Sequence, residues 1–228
     1  VSITATELIQ HPSPNCGSRR DGLRPTLIVL HYTAMQGAHA ALERLSDPQA
    51  EVSAHYLIAG DGRVWHMVDE ADRAWHAGVG SWRGQDDINS RSIGIELDNA
   101  GTHPFAEPQM AALEALLPGL MARWSIPAGN VIAHSDMAPE RKFDPGARFD
   151  WRRLARLGLS IWPDVPSDPG ARDFDTLCAA FGYPPEAGPE ARLKAFRDRF
   201  RPGVTGPVNA VDLECLAALV DGGAVLVA

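Results

Sequence analysis

Two histidines and one aspartate occupy positions from which metal chemistry is possible. His31 follows directly on the apolar run TLIVL, and His134 follows directly on VIA. Asp144 comes ten residues later, in a loop bounded by proline and glycine. Side chains at the ends of neighbouring strands converge on one edge of a sheet, where loops build a site. Two imidazoles and a carboxylate suit one zinc ion and leave its fourth position for water, the arrangement of a catalytic zinc. Taken singly, a histidine in such a place is more often a hydrogen-bonded core group or a surface residue. Two more charges fit beside such an ion. Glu96 lies inside the apolar strand SIGIEL. On the solvent face it would be unremarkable, and on the site edge it would take a proton from an attacking water. Lys142, in RKFDPG, reads either as a solvated loop lysine or as a cation that stabilises the oxyanion formed when water attacks a carbonyl.

Such groups need elements to hold them. Residues 1–25 carry Pro12, Pro14, Gly17, Gly22 and Pro25 and read as irregular. Thr26–Leu30 is a continuous β-branched run, expected as a buried strand. Residues 38–46 place Ala38, Ala41, Leu42 and Leu45 on one helical face. His55–Ala59 and Val64–Val68 flank Gly60-Asp61-Gly62, a hairpin signature. Ser92–Leu97 alternates Ile93, Ile95 and Leu97 against Gly94 and Glu96. A helix is expected from Glu107 to about Trp124, with Pro118-Gly119 kinking or splitting it. Val131–Ala133 reads as a short strand and Trp151–Leu157 as a further helix. The fold class expected is α/β, a mixed central β-sheet flanked by helices. Residues 160–170 carry three prolines and read as a linker after a domain of residues 1–159. Beyond it, helices over 171–181, 189–200 and 207–220 predict a small C-terminal three-helix module, residues 171–228, too small for a large core of its own and expected to dock on the main domain.

Composition narrows the function classes. The 228 residues are 45% hydrophobic and 22% charged, the mix of a globular chain, with a formal net charge of -8. A nucleic-acid binder needs a basic stripe, and there is none, so no nucleic acid is expected as a partner. No apolar run is long enough for a membrane span. Cys16, Cys178 and Cys215 form neither a metal pair nor a disulfide framework; the last two would pair only if the fold joined them.

The wording of several segments is more specific than their spacing. VLHYTA (29–34), VSAHYLI (52–58), AWHAG (74–78), NSRSIGIEL (89–97), AHSDMAPERKFDPG (133–146) and FDW (149–151) stand in one order over about residues 25–155. In this the chain resembles the zinc-dependent N-acetylmuramoyl-L-alanine amidases, the family that includes AmiD and AmpD, and most nearly the AmiD branch. The C-terminal helices and the segment FGYPP resemble that branch's peptidoglycan-binding module. The resemblance implies a mixed sheet flanked by helices, and hydrolysis of the amide joining the lactyl group of N-acetylmuramic acid to L-alanine of the stem peptide. It also implies one zinc ion on His31, His134 and Asp144, with Glu96 as the strand carboxylate that moves the proton and Lys142 as the oxyanion's partner. The partners expected are peptidoglycan fragments or muropeptides, and a monomer is compatible with the sequence.

Other residues in these segments have two readings each. Trp75 and His76 are expected to line the substrate cleft, a buried aromatic core being the other reading. Arg91 is expected to meet a stem-peptide carboxylate, unless it is a plain surface arginine. His55 reads as packed or hydrogen-bonded; His11, His39, His66 and His103 read as structural or solvated. The rival functions are a non-catalytic peptidoglycan-recognition module and a zinc endopeptidase of the stem peptide. The N-terminus lacks a signal-peptide pattern. A cytoplasmic enzyme is therefore expected, with a periplasmic one as the alternative if a signal was removed.

Overall fold

The computed structural model describes residues 8–163 and 166–222. Residues 1–7, 164–165 and 223–228 lie outside the described residues, and with them parts of the expected irregular N-terminus, linker and C-terminal module. The described chain opens with β1 (Leu8–Gln10), β2 (Cys16–Ser18) and the apolar strand β3 (Leu27–Tyr32). Helix α1 (Ala38–Ser46) precedes β4 (Tyr56–Ile58), β5 (Val64–His66) and β6 (Asp72–Ala74). The turn α2 (Ile88–Arg91) enters β7 (Ser92–Leu97), and helix α3 (Glu107–Trp124) precedes β8 (Val131–Ala133) and the turn α4 (His134–Met137). Four helices follow: α5 (Trp151–Arg156), α6 (Phe174–Phe181), α7 (Pro189–Phe200) and α8 (Ala210–Val220).

Six strands form one mixed sheet in the order β1–β5–β4–β7–β3–β8. β4 and β5 are the expected antiparallel hairpin, and the other pairs are parallel. Gly62 closes the hairpin at φ 89°, a conformation that favours glycine, and a side chain there would strike the Pro108 backbone. β2 and β6 make a separate antiparallel ribbon.

The period of two along each strand sorts residues between two cores. Ile28 and Leu30 of β3, with Ile93, Ile95 and Leu97 of β7, pack against Leu113, Leu117 and Leu120 of α3 and Leu154 of α5. These three α3 leucines are fully buried, each contributing about 1.5–3 kcal/mol by removal from water. On the opposite face Leu27 and Val29 share one apolar cluster with Phe174, Phe181, Phe196 and Leu216 of the C-terminal helices. Both faces of β3 are thus covered, which is why its first four residues, Leu27–Leu30, are all apolar. A third cluster joins Leu42 and Leu45 of α1 to Leu57 and Trp65.

Two sequence expectations are corrected. Helix α3 runs through Pro118 and Gly119 without a break. Both residues are exposed, so the carbonyl that loses its partner can bond to water. Residues 8–25 are not wholly irregular, since they hold β1 and β2, while β6 and α2 were not foreseen either. Each has only three or four residues, and β1 is an exposed edge, so no apolar alternation marks it. The three cysteines are free.

Candidate active site

Strand register brings the reactive groups together. In the β3–β7 ladder His31 pairs with Glu96, and in the β3–β8 ladder Leu30 pairs with Ala133. His134 therefore follows beside His31, where three parallel strands end. Paired residues project to one face. Glu96 lies with Ser92 and Gly94 on the face opposite the Ile93–Ile95–Leu97 core, turned into the site rather than to open solvent. The loop after α4 adds Lys142 and Asp144. It is tied back by the amides of Arg141 and Lys142, which donate to the Ala138 carbonyl, and by the Ser135 amide, which donates to the Asp144 carbonyl.

The Nδ1 atoms of His31 and His134 lie 2.8 Å apart, and each is 2.9 Å from Asp144 Oδ2. All three residues are buried. Their far sides determine where the protons sit. His134 Nε2 faces the Ala77 carbonyl at 2.9 Å. A carbonyl only accepts, so Nε2 carries a proton and Nδ1 is the nitrogen placed to offer a lone pair. The His31 tautomer is set through two more groups. The Ser92 hydroxyl donates to the Ile88 carbonyl. Its oxygen then accepts from His76 Nε2–H at 3.2 Å. His76 Nδ1 is left bare and accepts from His31 Nε2–H at 3.0 Å. Burial first, then the neighbouring His134, pushes His31 down to about 4, so its ring is neutral near pH 7. Burial first, then His31, holds His76 well below its ordinary value. His31 Nδ1 is therefore a lone pair too.

Three lone-pair donors thus meet in a buried place with no proton assigned between them, which is unfavourable unless a cation joins them. Among the described residues this is the group of histidine, cysteine and carboxylate side chains that could hold a metal ion. The donor chemistry fits zinc. A tetrahedral zinc site has donor atoms roughly 3.3 Å apart, a few tenths of an ångström wider than the spacing found here.

Glu96 and Lys142 line the same cleft of about 300 Å³, together with Trp75, Tyr32, Phe143 and Arg44. Glu96 Oε2 is buried without a partner. Burial first, then the Asp144 carboxylate, pushes Glu96 up to about 8, with Lys142 opposing. The segment carrying Trp75 and His76 is held by Asn89, whose Oδ1 accepts from the amides of His76 and Ala77 at 3.0 and 2.8 Å. The His76 ring lies on the backbone of Gly94, where a methyl group would come within 2.4 Å of it. His55 is a packing residue. Its Nδ1 accepts from the Gly94 amide at 2.9 Å, and its Nε2–H donates to the Asp72 carbonyl at 3.2 Å.

Of the eight expected site residues the structure brings seven together. Arg91 is the exception. It precedes β7, whose far end carries Glu96, so it sits roughly 16 Å away at 3.3 Å per residue. Its Nε donates to the Asp86 carbonyl, beside Thr26 and Leu27. The structure thus places Arg91 apart from the cleft that holds the other seven. His76 does line the cleft, but both its ring nitrogens are engaged by His31 and Ser92. Ser92, Arg44, Tyr32 and Phe143 were missed. Ser92 alone left a signal, because it shares the Gly94–Glu96 face of an alternating strand.

Comparison with known proteins follows the same lines. The sequence profile of a family described as N-acetylmuramoyl-L-alanine amidase matches residues 21–147. The chain is 38% identical over 212 residues to N-acetylmuramoyl-L-alanine amidase AmiD of Escherichia coli, covering 78% of this chain and 76% of the relative. A solved structure of the E. coli AmiD, in complex with the substrate anhydro-N-acetylmuramic acid-L-Ala-D-γ-Glu-L-Lys, superposes with a TM-score of 0.78 at 35% identity. It covers 87% of this chain and 90% of its own. AmpDh3 of Pseudomonas aeruginosa, in complex with anhydromuramic pentapeptide, gives a TM-score of 0.76 at 30% identity, covering 91% and 95%.

Proposed function

The chain belongs to the N-acetylmuramoyl-L-alanine amidase family, and from that premise we propose how it acts. It hydrolyses the amide between the lactyl group of N-acetylmuramic acid, in its ordinary or anhydro form, and L-alanine of the stem peptide in peptidoglycan or muropeptides. The observation that carries this reading is the convergence of His31 Nδ1, His134 Nδ1 and Asp144 Oδ2 in one cleft with Glu96 and Lys142.

A zinc ion held by His31, His134 and Asp144 would supply Lewis acidity, making water a better nucleophile near neutral pH and polarising the amide carbonyl. The chain's own residues do the rest. Glu96 Oε2, without a partner and on the site face, accepts the proton of the water that attacks the lactyl carbonyl. Its raised pKa suits it to hold that proton and return it to the departing alanine amine. The Lys142 ammonium stabilises the negative charge that develops on the former carbonyl oxygen. Trp75, Tyr32 and Phe143 offer flat surfaces beside this centre, suited to a sugar ring or a peptide chain. His76 and Ser92 keep the His31 tautomer that presents Nδ1.

Product analysis tests the reading. Mass spectrometry of purified muropeptides after incubation is expected to find an intact stem peptide and a sugar bearing a free lactyl carboxylate. A shortened peptide would favour the endopeptidase reading, and unaltered muropeptides the recognition module. Residues 171–228 are read as a peptidoglycan-binding-like module, and co-sedimentation with purified wall checks that part.

A further inference from the structure

The turn that presents His134 is gripped from outside the amidase core. Asp136, two residues after His134, is fully buried. Its Oδ2 accepts from the Ala133 amide at 2.8 Å and from Arg199 Nη1. Its Oδ1 accepts from the Tyr183 hydroxyl at 2.9 Å. Arg199 is 1% exposed, and its Nη2 also donates to the Val131 carbonyl at 2.9 Å. One guanidinium thus bonds the chain three residues before His134 and again two residues after it. It is held in turn over the Trp151 ring at 4.3 Å. Arg199 comes from α7, and Tyr183 follows α6.

We propose that the C-terminal helices act on the metal site: Arg199 and Tyr183 hold Asp136, and together with the Val131 contact they fix the turn from which His134 Nδ1 points at its co-ligands. Both are positioning residues, since neither touches the cleft. A planar guanidinium with donors on two edges can bracket a turn in this way, and a lysine cannot reproduce it. Ligand groups need their geometry held to within about 0.5 Å, and outer partners supply that restraint. Docking alone does not require this arrangement, because the apolar cluster of Leu27 and Val29 with Phe174 and Phe196 already fastens the helices to the sheet. The inference rests on the metal reading of the triad.

The experiment is a zinc titration against a chromophoric chelator, on full-length protein shown to be folded by circular dichroism and a melting curve. Arg199→Met is expected to weaken zinc binding by about 10–100-fold. Tyr183→Phe, which removes one hydrogen bond and little volume, is expected to weaken it by roughly 3–10-fold, and it decides the matter if the arginine variant fails to fold. Arg197→Met is the control. It breaks a comparably buried pair with Asp212, at 2.6 Å, wholly within the C-terminal helices. It should lower Tm and leave zinc affinity unchanged, a separation that a merely structural role for Arg199 would not give. Wild-type zinc affinity in folded Tyr183→Phe and Arg199→Met would overturn the proposal, as would an equal loss in Arg197→Met. A wild-type chain that takes up no zinc would overturn the metal reading itself, and this inference with it.

Discussion

Replacing His76 with leucine should weaken metal binding without touching a ligand. The substitution removes the acceptor for His31 Nε2–H, which now lies at 3.0 Å. His31 is 1% exposed, so little water can take the acceptor's place. A buried donor left without a partner costs about 1–3 kcal/mol, and the ring also loses its reason to keep Nδ1 bare. At 1.4 kcal/mol per decade this is a fall in zinc affinity of roughly 5–150-fold. His76→Asn is the informative companion, because its Oδ1 can stand where His76 Nδ1 stands and accept the same bond. It should restore most of the affinity. Gly94→Ala should act as His76→Leu does, since the added methyl would displace the His76 ring. The assay is chelator competition, with melting curves to confirm folding. Wild-type affinity in folded His76→Leu, or equal losses in the leucine and asparagine variants, would refute the tautomer argument.

Glu96, Lys142 and Arg91 each carry an expected outcome. Glu96→Gln should lower kcat by about 10²–10⁴-fold while zinc binding survives, as read by parallel turnover and metal titrations. Because Glu96 must be ionised to accept a proton, kcat/KM should rise with pH through its pKa; the inflection should lie above the ordinary value of about 4.3 and at or below about 8, since a bound cation favours the carboxylate. A flat profile above pH 5, or an unchanged one in Glu96→Gln, would remove the role. Lys142→Met should lower kcat by about 10²–10³-fold, and a change confined to KM would reassign it to ground-state binding. Arg91→Ala should leave kcat/KM within about twofold, because the residue sits at the other end of β7.

Much of the site was legible because it is built from strand ends. TLIVL and VIA place His31 and His134 directly, and the hairpin glycines bound the neighbouring strand. The face of Glu96 was less clear from SIGIEL alone. Alternation separates its residues into two faces without saying which is solvent, and here the second face carries Gly94, the His76 ring and the cleft. The His31–His76–Ser92 relay was hidden because its members meet only after a loop folds across the sheet. Arg199 was hidden for a related reason. An arginine within an amphipathic helix reads as solvated, and its partner Asp136 lies 63 residues away in sequence. Arg91 stands apart from Glu96 because neighbours in sequence are carried far apart along an extended strand. Pro118 misled because a proline on an exposed helix face leaves its orphaned carbonyl to water.

On the proposed mechanism, one metal ion on His31, His134 and Asp144 is required for cleavage of the lactyl–alanine amide. The most direct measurement titrates zinc into metal-free protein while mass spectrometry follows release of intact stem peptide from a purified muropeptide. The rate should rise linearly, stop rising at one zinc per chain, and stay at background in His134→Ala. Full-rate cleavage by the metal-free protein, or no cleavage at any zinc level, would contradict the account.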